Sequence, residues 1–246
     1  MTRGRLVLCY HAVSARWPAP LSVTPEALEF QVRLLARRGY TGTTFDRLVS
    51  GPADGPVVAV TFDDAYLSVL ELAKPILDGV GFPATVFVPT DYPDRPGRPM
   101  AWDGIDNWLG GPHEAELRPL SWDQIGALAD ARWEIGSHTC SHPRLTSLAD
   151  DELERELALS RAKLTERLGR PCRTLAYPYG DHDRRVIEAA GAAGYAAAGT
   201  LPGRLPRPER LAWPRVGIYH VDDERRFRLK VSTLMSALRR LPVWPK

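Results

Sequence analysis

Residues 56–66 read PVVAVTFDDAY. An apolar run, Val57 to Val60, passes through Thr61 and Phe62 and stops at two adjacent carboxylates, Asp63 and Asp64. A short run of β-branched and small apolar residues with no polar alternation predicts a strand covered on both faces, as in a parallel sheet. Such a strand normally leaves its sheet through turn residues, and one Asp would serve. Two neighbouring carboxylates repel each other unless a cation, or a division of labour, makes the pair useful.

The same alternation of apolar runs and amphipathic segments recurs along the chain. RLVLCY (5–10), ATVFV (84–88), WEIGS (133–137), RTLAY (173–177) and RVGIY (215–219) predict strands, and YAAAG (195–199) a weak one. Helices are predicted over 24–39, with Thr24 as cap and Pro25 at the first helical position, and over 45–50, 66–80, 121–131, 150–169, 183–193 and 222–241. Repeated βα units in one chain of 246 residues predict an α/β protein. The favoured form is a distorted (β/α) barrel with seven or so parallel strands in a single domain spanning 1–246. Residues 89–119, rich in Pro and Gly, are too long for a plain connection and are read as a lid or substrate loop.

Composition narrows the function classes. A net charge of +2, with arginines in short scattered clusters, argues against nucleic acid as a partner. Three cysteines without CxxC spacing suit a reduced compartment rather than a disulfide framework. The apolar run near the N-terminus is too short for a signal-peptide core, and no stretch reaches the roughly 18 apolar residues of a membrane span. The expectation is a cytoplasmic protein with no transmembrane segment, with peripheral membrane association left open and oligomeric state unspecified.

The polar residues that follow the predicted strands carry the chemistry. His11 closes the first strand, Asp63 and Asp64 the next, His138 and His142 of SHTCSH follow WEIGS, and Tyr177, Pro178, Tyr179 and Gly180 follow RTLA. In a parallel barrel those ends share one face. Two imidazoles four residues apart and a carboxylate form a three-ligand set for a catalytic divalent ion; a bare HxxxH can equally be a pair of capping or surface histidines. One carboxylate of the Asp pair then ligates the ion and the other remains a base; the alternative is a helix cap beside a surface Asp. Cys140 lies between the histidines and is expected to point away from them. The amide of Tyr179 could donate to an oxyanion. Trp102, Trp108 and Trp122 offer faces for sugar C–H surfaces or, equally, anchors for the long loop.

TFDDAY, SHTCSHPRLT and LAYPYG, in this order and spacing, resemble the polysaccharide deacetylases, the NodB-homology family also called carbohydrate esterase family four. The resemblance runs from LCYHAV to about residue 220. It implies Asp63 as catalytic base, Asp64, His138 and His142 as ligands of a metal, most often Zn2+, and the Tyr179 amide as oxyanion donor. Tyr177, Pro178, Trp102 and Trp122 are assigned to substrate binding. Three positions depart from the family pattern. Ala65 replaces a usual Gly, Ala176 stands where an Arg usually buttresses the base, and the C-terminal Leu-x-His motif is not convincing. Arg215 is the candidate replacement for that Arg. The strand VLCYH resembles the circularly permuted subgroup in which the acid-bearing strand begins the chain, which makes His11, ahead of His220, the general acid. His113 and His182 are assigned to the surface. The implied function is metal-dependent hydrolysis of the N-acetyl amide of an N-acetylated sugar or glycan. Alternatives are a lipid-linked, nucleotide-linked or small-molecule N-acyl substrate, or a catalytically silent glycan-binding homologue.

Overall fold

The computed structural model describes residues 4–52, 54–203, 205–232, 235, 238 and 239. Its strands are β1 (Arg5–Tyr10), β2 (Ala12–Val13), β3 (Ser22–Val23), β4 (Thr41–Thr43), β5 (Val57–Phe62), β6 (Ala84–Val88), β7 (Glu134–Ser137), β8 (Thr174–Ala176), β9 (Ala197–Thr200), β10 (Trp213–Pro214) and β11 (Val216–Gly217). Its helices are α1 (Pro25–Arg37), α2 (Phe45–Ser50), α3 (Lys74–Asp78), α4 (Trp122–Asp130), α5 (Asp150–Leu168), α6 (Arg184–Ala192) and α7 (Glu224–Lys230).

The main sheet runs β10-β9-β8-β7-β6-β5-β1-β11, and its paired strands are parallel. β10 and β11 are two halves of one segment split at Arg215. The first half pairs with β9 and the second with β1, so this segment joins the two ends of the sheet. Counting β10 and β11 as one stave, the distorted barrel has seven. β4 is an extra strand beside the first half of β5, while β6 pairs with the second half.

Period-two alternation sorts the strand residues into two sets. Leu6, Leu8, Val58 and Val60 pack outward in one cluster with Leu28, Val32 and Leu35 of α1. Val7, Ala59, Phe87, Ala176, Ala197 and Trp213 form a second cluster, closed by Phe45 and Leu48 of α2. Cys9, His11, Thr61 and Asp63 share the parity of this inner set. The alternation that fills the barrel therefore also places polar side chains at its C-terminal mouth.

Helix boundaries follow local chemistry. The Thr24 hydroxyl caps α1 through Ala27 N–H, Ser121 and Gln124 form a capping box on α4, and Asp183 caps α6. The helix predicted over 66–80 differs. Val69–Ala73 is π-helical and leads into the short α3. Pro75 has no N–H for the carbonyl of Glu71, so the ladder is interrupted there. The helix predicted over 222–241 is α7 at its start; residues 233–234, 236–237 and 240–241 lie outside the described residues.

The segment 89–119 is packed against the barrel. Met100, Ile105 and Leu117 are buried, Met100 N–H donates to Leu117 O, and Leu67 N–H donates to Arg118 O. Trp108 meets Trp17 edge-on, and Trp17 in turn meets Tyr66. Two single-turn helices, Asp106–Trp108 and Glu114–Leu117, shape it into a wall beside the mouth.

Candidate active site

Asp63, at the end of β5, is buried and held by the guanidinium of Arg215. Nη1 donates to Oδ1 and Nη2 to Oδ2, both at 2.7 Å. Arg215 is fully buried at the seam between β10 and β11, and its Nη1 also reaches Thr61 Oγ1 at 3.1 Å. Gly199 on β9 makes the room: a Cβ there would lie 2.7 Å from Arg215 Nε. Burial alone would raise the Asp63 pKa, but the guanidinium charge outweighs it and holds the carboxyl at about 2. The Cys9 thiol, 3.3 Å from Asp63 Oδ2, is a further donor. Asp63 is thus ionised and has no part in the neighbouring triad.

That triad is Asp64, His138 and His142, whose ligand atoms lie within 4.8 Å of one another. His138 Nε2 is 3.3 Å and His142 Nε2 3.4 Å from Asp64 Oδ1. His138 Nδ1 lies 2.8 Å from Ala176 O. A carbonyl only accepts, so Nδ1 carries the proton and, in the neutral ring, Nε2 presents a lone pair to Asp64. Asp64 Oδ1 is buried and has no hydrogen-bond donor among the described residues. Two imidazole nitrogens facing one point around an orphaned carboxylate oxygen fit a divalent cation. Burial pushes the Asp64 pKa up, yet the two imidazoles, when protonated on the nitrogens that face it, pull it below the usual carboxylate range. At His138 burial opposes the charge but Asp63 and Asp64 outweigh it and raise the pKa, whereas at His142 burial wins and lowers it.

The backbone around these side chains is unusual. Asp64, Ala65, Thr139, His142 and Tyr179 all have φ between 55° and 70°, in the left-handed region. Non-glycine residues there cost about 1–2 kcal/mol each, and the fold supplies local bonds that hold them. Glu156, reaching up from α5, accepts from the N–H groups of Cys140 and Ser141 and from the Ser141 hydroxyl. Thr139 Oγ1 accepts from His142 N–H, and Ala65 O accepts from Leu120 N–H. Ala65 thus has the φ that a Gly would adopt freely.

His11 and Tyr179 join Asp63, Asp64, His138 and His142 in the lining of one cavity of about 410 Å³. The ligand atoms of His11 and Asp63 lie within 4.8 Å of each other. Burial lowers the His11 pKa although both carboxylates pull it up. Trp102 and Trp108 also line this cavity.

Three assignments made from sequence need correction. Trp122 is not in the cavity wall; its indole N–H donates to Asp94, and Lys163 and Arg167 lie over its ring. Tyr177 is turned away, its hydroxyl bonded to Leu211 O and its ring stacked on His182, and Pro178 is packed beside it in the turn rather than in the lining. Of the side chains in this turn, that of Tyr179 lines the cavity. His113 and His182, both half-buried, and the exposed His220 lie outside the cavity lining. Cys140 directs its sulfur to Glu156 O, away from the triad. Glu156 and Cys9 escape a motif search, since a Glu on a helix and a Cys in a strand carry no signal until the loop or base they touch is placed.

The chain is 25% identical over 211 residues to YxkH of Bacillus subtilis (strain 168), which is named as a polysaccharide deacetylase, covering 83% of this chain and 67% of that one. The crystal structure of BC0361, a polysaccharide deacetylase from Bacillus cereus, superposes with a TM-score of 0.73 at 26% identity, over 93% of this chain and 69% of that one. The Streptococcus pyogenes deacetylase PplD, solved with acetate, shares the fold at a TM-score of 0.76 and 21% identity, over 92% of this chain and 97% of that one. Residues 50–198, more than half of the chain, match the polysaccharide deacetylase family, and with both carboxylates and both histidines of the centre inside that span, the chain belongs to it.

Proposed function

We propose that this protein hydrolyses the N-acetyl amide of an N-acetylated sugar in a metal-dependent reaction. The observation that carries the reading is the division of labour between Asp63 and Asp64. Arg215 keeps the first ionised and outside the triad, while the second shares a point with the Nε2 atoms of two imidazoles. Asp64, His138 and His142 would hold the cation, and the donor set suits zinc. When bound, the cation supplies an electrophile for the acyl oxygen and makes the attacking water more acidic.

The residues of the chain do the rest. Asp63 takes a proton from water as its oxygen bonds to the acyl carbon. The Tyr179 amide is the donor assigned to the oxygen that becomes negative. His11 gives a proton to the departing nitrogen as the C–N bond breaks, leaving acetate and a free amine. Ligand atoms of Asp63 and His11 lie within 4.8 Å of each other, so a short relay would return the proton collected by Asp63 to the imidazole that must be recharged. Leu201 and Tyr219 border both this cavity and a neighbouring one of about 460 Å³. That extra room supports a substrate larger than one acylated sugar.

The test is acetate release from N-acetylglucosamine oligomers by zinc-loaded enzyme, against Asp63→Asn at matched metal content. Loss of at least about 100-fold in the variant is expected for removal of a general base. Equal rates in the two proteins would remove Asp63 from the mechanism. Zinc binding with no release from any oligomer would point instead to an N-acyl group on a smaller molecule.

A further inference from the structure

The two imidazoles of the triad are held by different means. His138 has the usual outer partner, a backbone carbonyl on its distal nitrogen. His142 has none: its Nδ1 is buried and unpartnered among the described residues. Its backbone sits at φ 66°, so the chain itself offers a strained rather than a relaxed platform. What fixes the plane of this ring is aromatic. Trp102 stacks on it with centroids 4.2 Å apart and planes 24° from parallel, and Tyr179 and His138 meet it edge-on at 4.7 and 4.8 Å.

Trp102 is in turn anchored. Its carbonyl accepts from Ile105 N–H and Asp106 N–H, and its ring meets the edge of Tyr92. The next residue, Asp103, clamps this stretch to the rest of the site. Its carboxylate receives Arg144 Nη2 at 3.0 Å, and its carbonyl receives the Tyr179 hydroxyl at 3.0 Å. Arg144 also lies over the Tyr179 ring, 4.2 Å from its centroid. The wall formed by 89–119 and the loop carrying His142 are therefore one connected unit.

We infer that Trp102 is a positioning residue for the metal ligand His142, replacing by stacking the outer hydrogen bond that His138 has and His142 lacks. The inference rests on the metal reading of the triad. A ring held in plane before the ion arrives loses less freedom on binding, and outer partners of ligating histidines are typically worth about 10–100-fold in metal affinity. Stacking also accounts for an indole at this point in the cavity wall without requiring it to touch the sugar.

The experiment measures zinc affinity by competition with a chromophoric chelator, and the visible absorption of the cobalt(II)-loaded protein, for wild type, Trp102→Phe, Trp102→Leu and Trp102→Ala. Trp102→Leu and Trp102→Ala are expected to bind zinc about 10–100-fold more weakly and to show an altered cobalt spectrum, with Trp102→Phe close to wild type. Thermal unfolding of the metal-free proteins separates this from a packing defect, because Leu fills space without an aromatic face. Zinc affinity and cobalt spectra unchanged in Trp102→Leu and Trp102→Ala would overturn the inference and leave the proposed hydrolysis standing. Wild type with no measurable zinc affinity would overturn both.

Discussion

Arg215 shows how one side chain can be decisive without belonging to any motif. It is fully buried, so its charge is tolerable only because the two terminal nitrogens of its guanidinium, Nη1 and Nη2, meet the two oxygens of Asp63. Lysine would keep the charge but not the fork. Arg215→Lys is expected to lower acetate release by about 100-fold through misplacement of the base, with zinc content unchanged. Arg215→Met leaves Asp63 uncompensated and should cost about 3–5 kcal/mol in chemical denaturation. Gly199→Ala is a second route to the same loss, since its methyl group would occupy the space of Arg215 Nε. Activity within a few-fold of wild type in both Arg215→Lys and Gly199→Ala would show that the bidentate geometry does not matter to the base.

At the scale of elements, the two ends of the barrel are built on opposite principles. The C-terminal mouth gathers strained loops and charges, whereas the opposite end is tied by one carboxylate. Glu134 at the start of β7 accepts from Thr85 on β6, Thr174 on β8 and the N–H of Asp46 in α2. Burial raises its pKa above the ordinary 4.5, and the bonds from Thr174, Asp46 and Thr85 only partly offset this. A raised carboxyl pKa means the group favours the fold below its ordinary value, and that contribution is lost as pH rises through the folded-state value. Denaturation midpoints of Glu134→Gln should therefore fall less than those of wild type as pH rises above the ordinary glutamate value. Parallel pH profiles for the two proteins would count against a strained ionised Glu134.

For the molecule as a whole, the proposed metal centre at the mouth would tie stability to its cation. Asp64, His138 and His142 come from β5 and from the loop after β7, so they meet only in the folded state. A ligand that binds only the folded state stabilises it by about 2.7 kcal/mol at 100 times its dissociation constant. For a protein of this size that is roughly 5–10 °C in Tm. Chelation of zinc-loaded protein should lower the melting temperature by that amount and restored zinc should recover it, with no shift in Asp64→Ala. An equal shift in Asp64→Ala would place the stabilising ion elsewhere. No helix among the described residues is long and apolar enough to cross a membrane.

The sequence by itself determined the repeat of apolar strands and capped helices, because hydrophobic period and cap chemistry are local properties. It also determined that Asp63, Asp64, His138, His142 and His11 follow strands, which in a parallel barrel is enough to place them on one face. It offered Arg215 as the candidate partner of Asp63, but tertiary structure decided the contact itself and the other neighbours that complete the site. Arg215 reaches Asp63 across 152 positions of chain because the seam strand closes the barrel between β9 and β1. Tyr177 and Trp122 carry the same sequence signal as Tyr179 and Trp102, yet they point elsewhere. The direction of a side chain in a turn or a long segment depends on φ, such as the 59° of Tyr179, and on packing partners that no local pattern encodes.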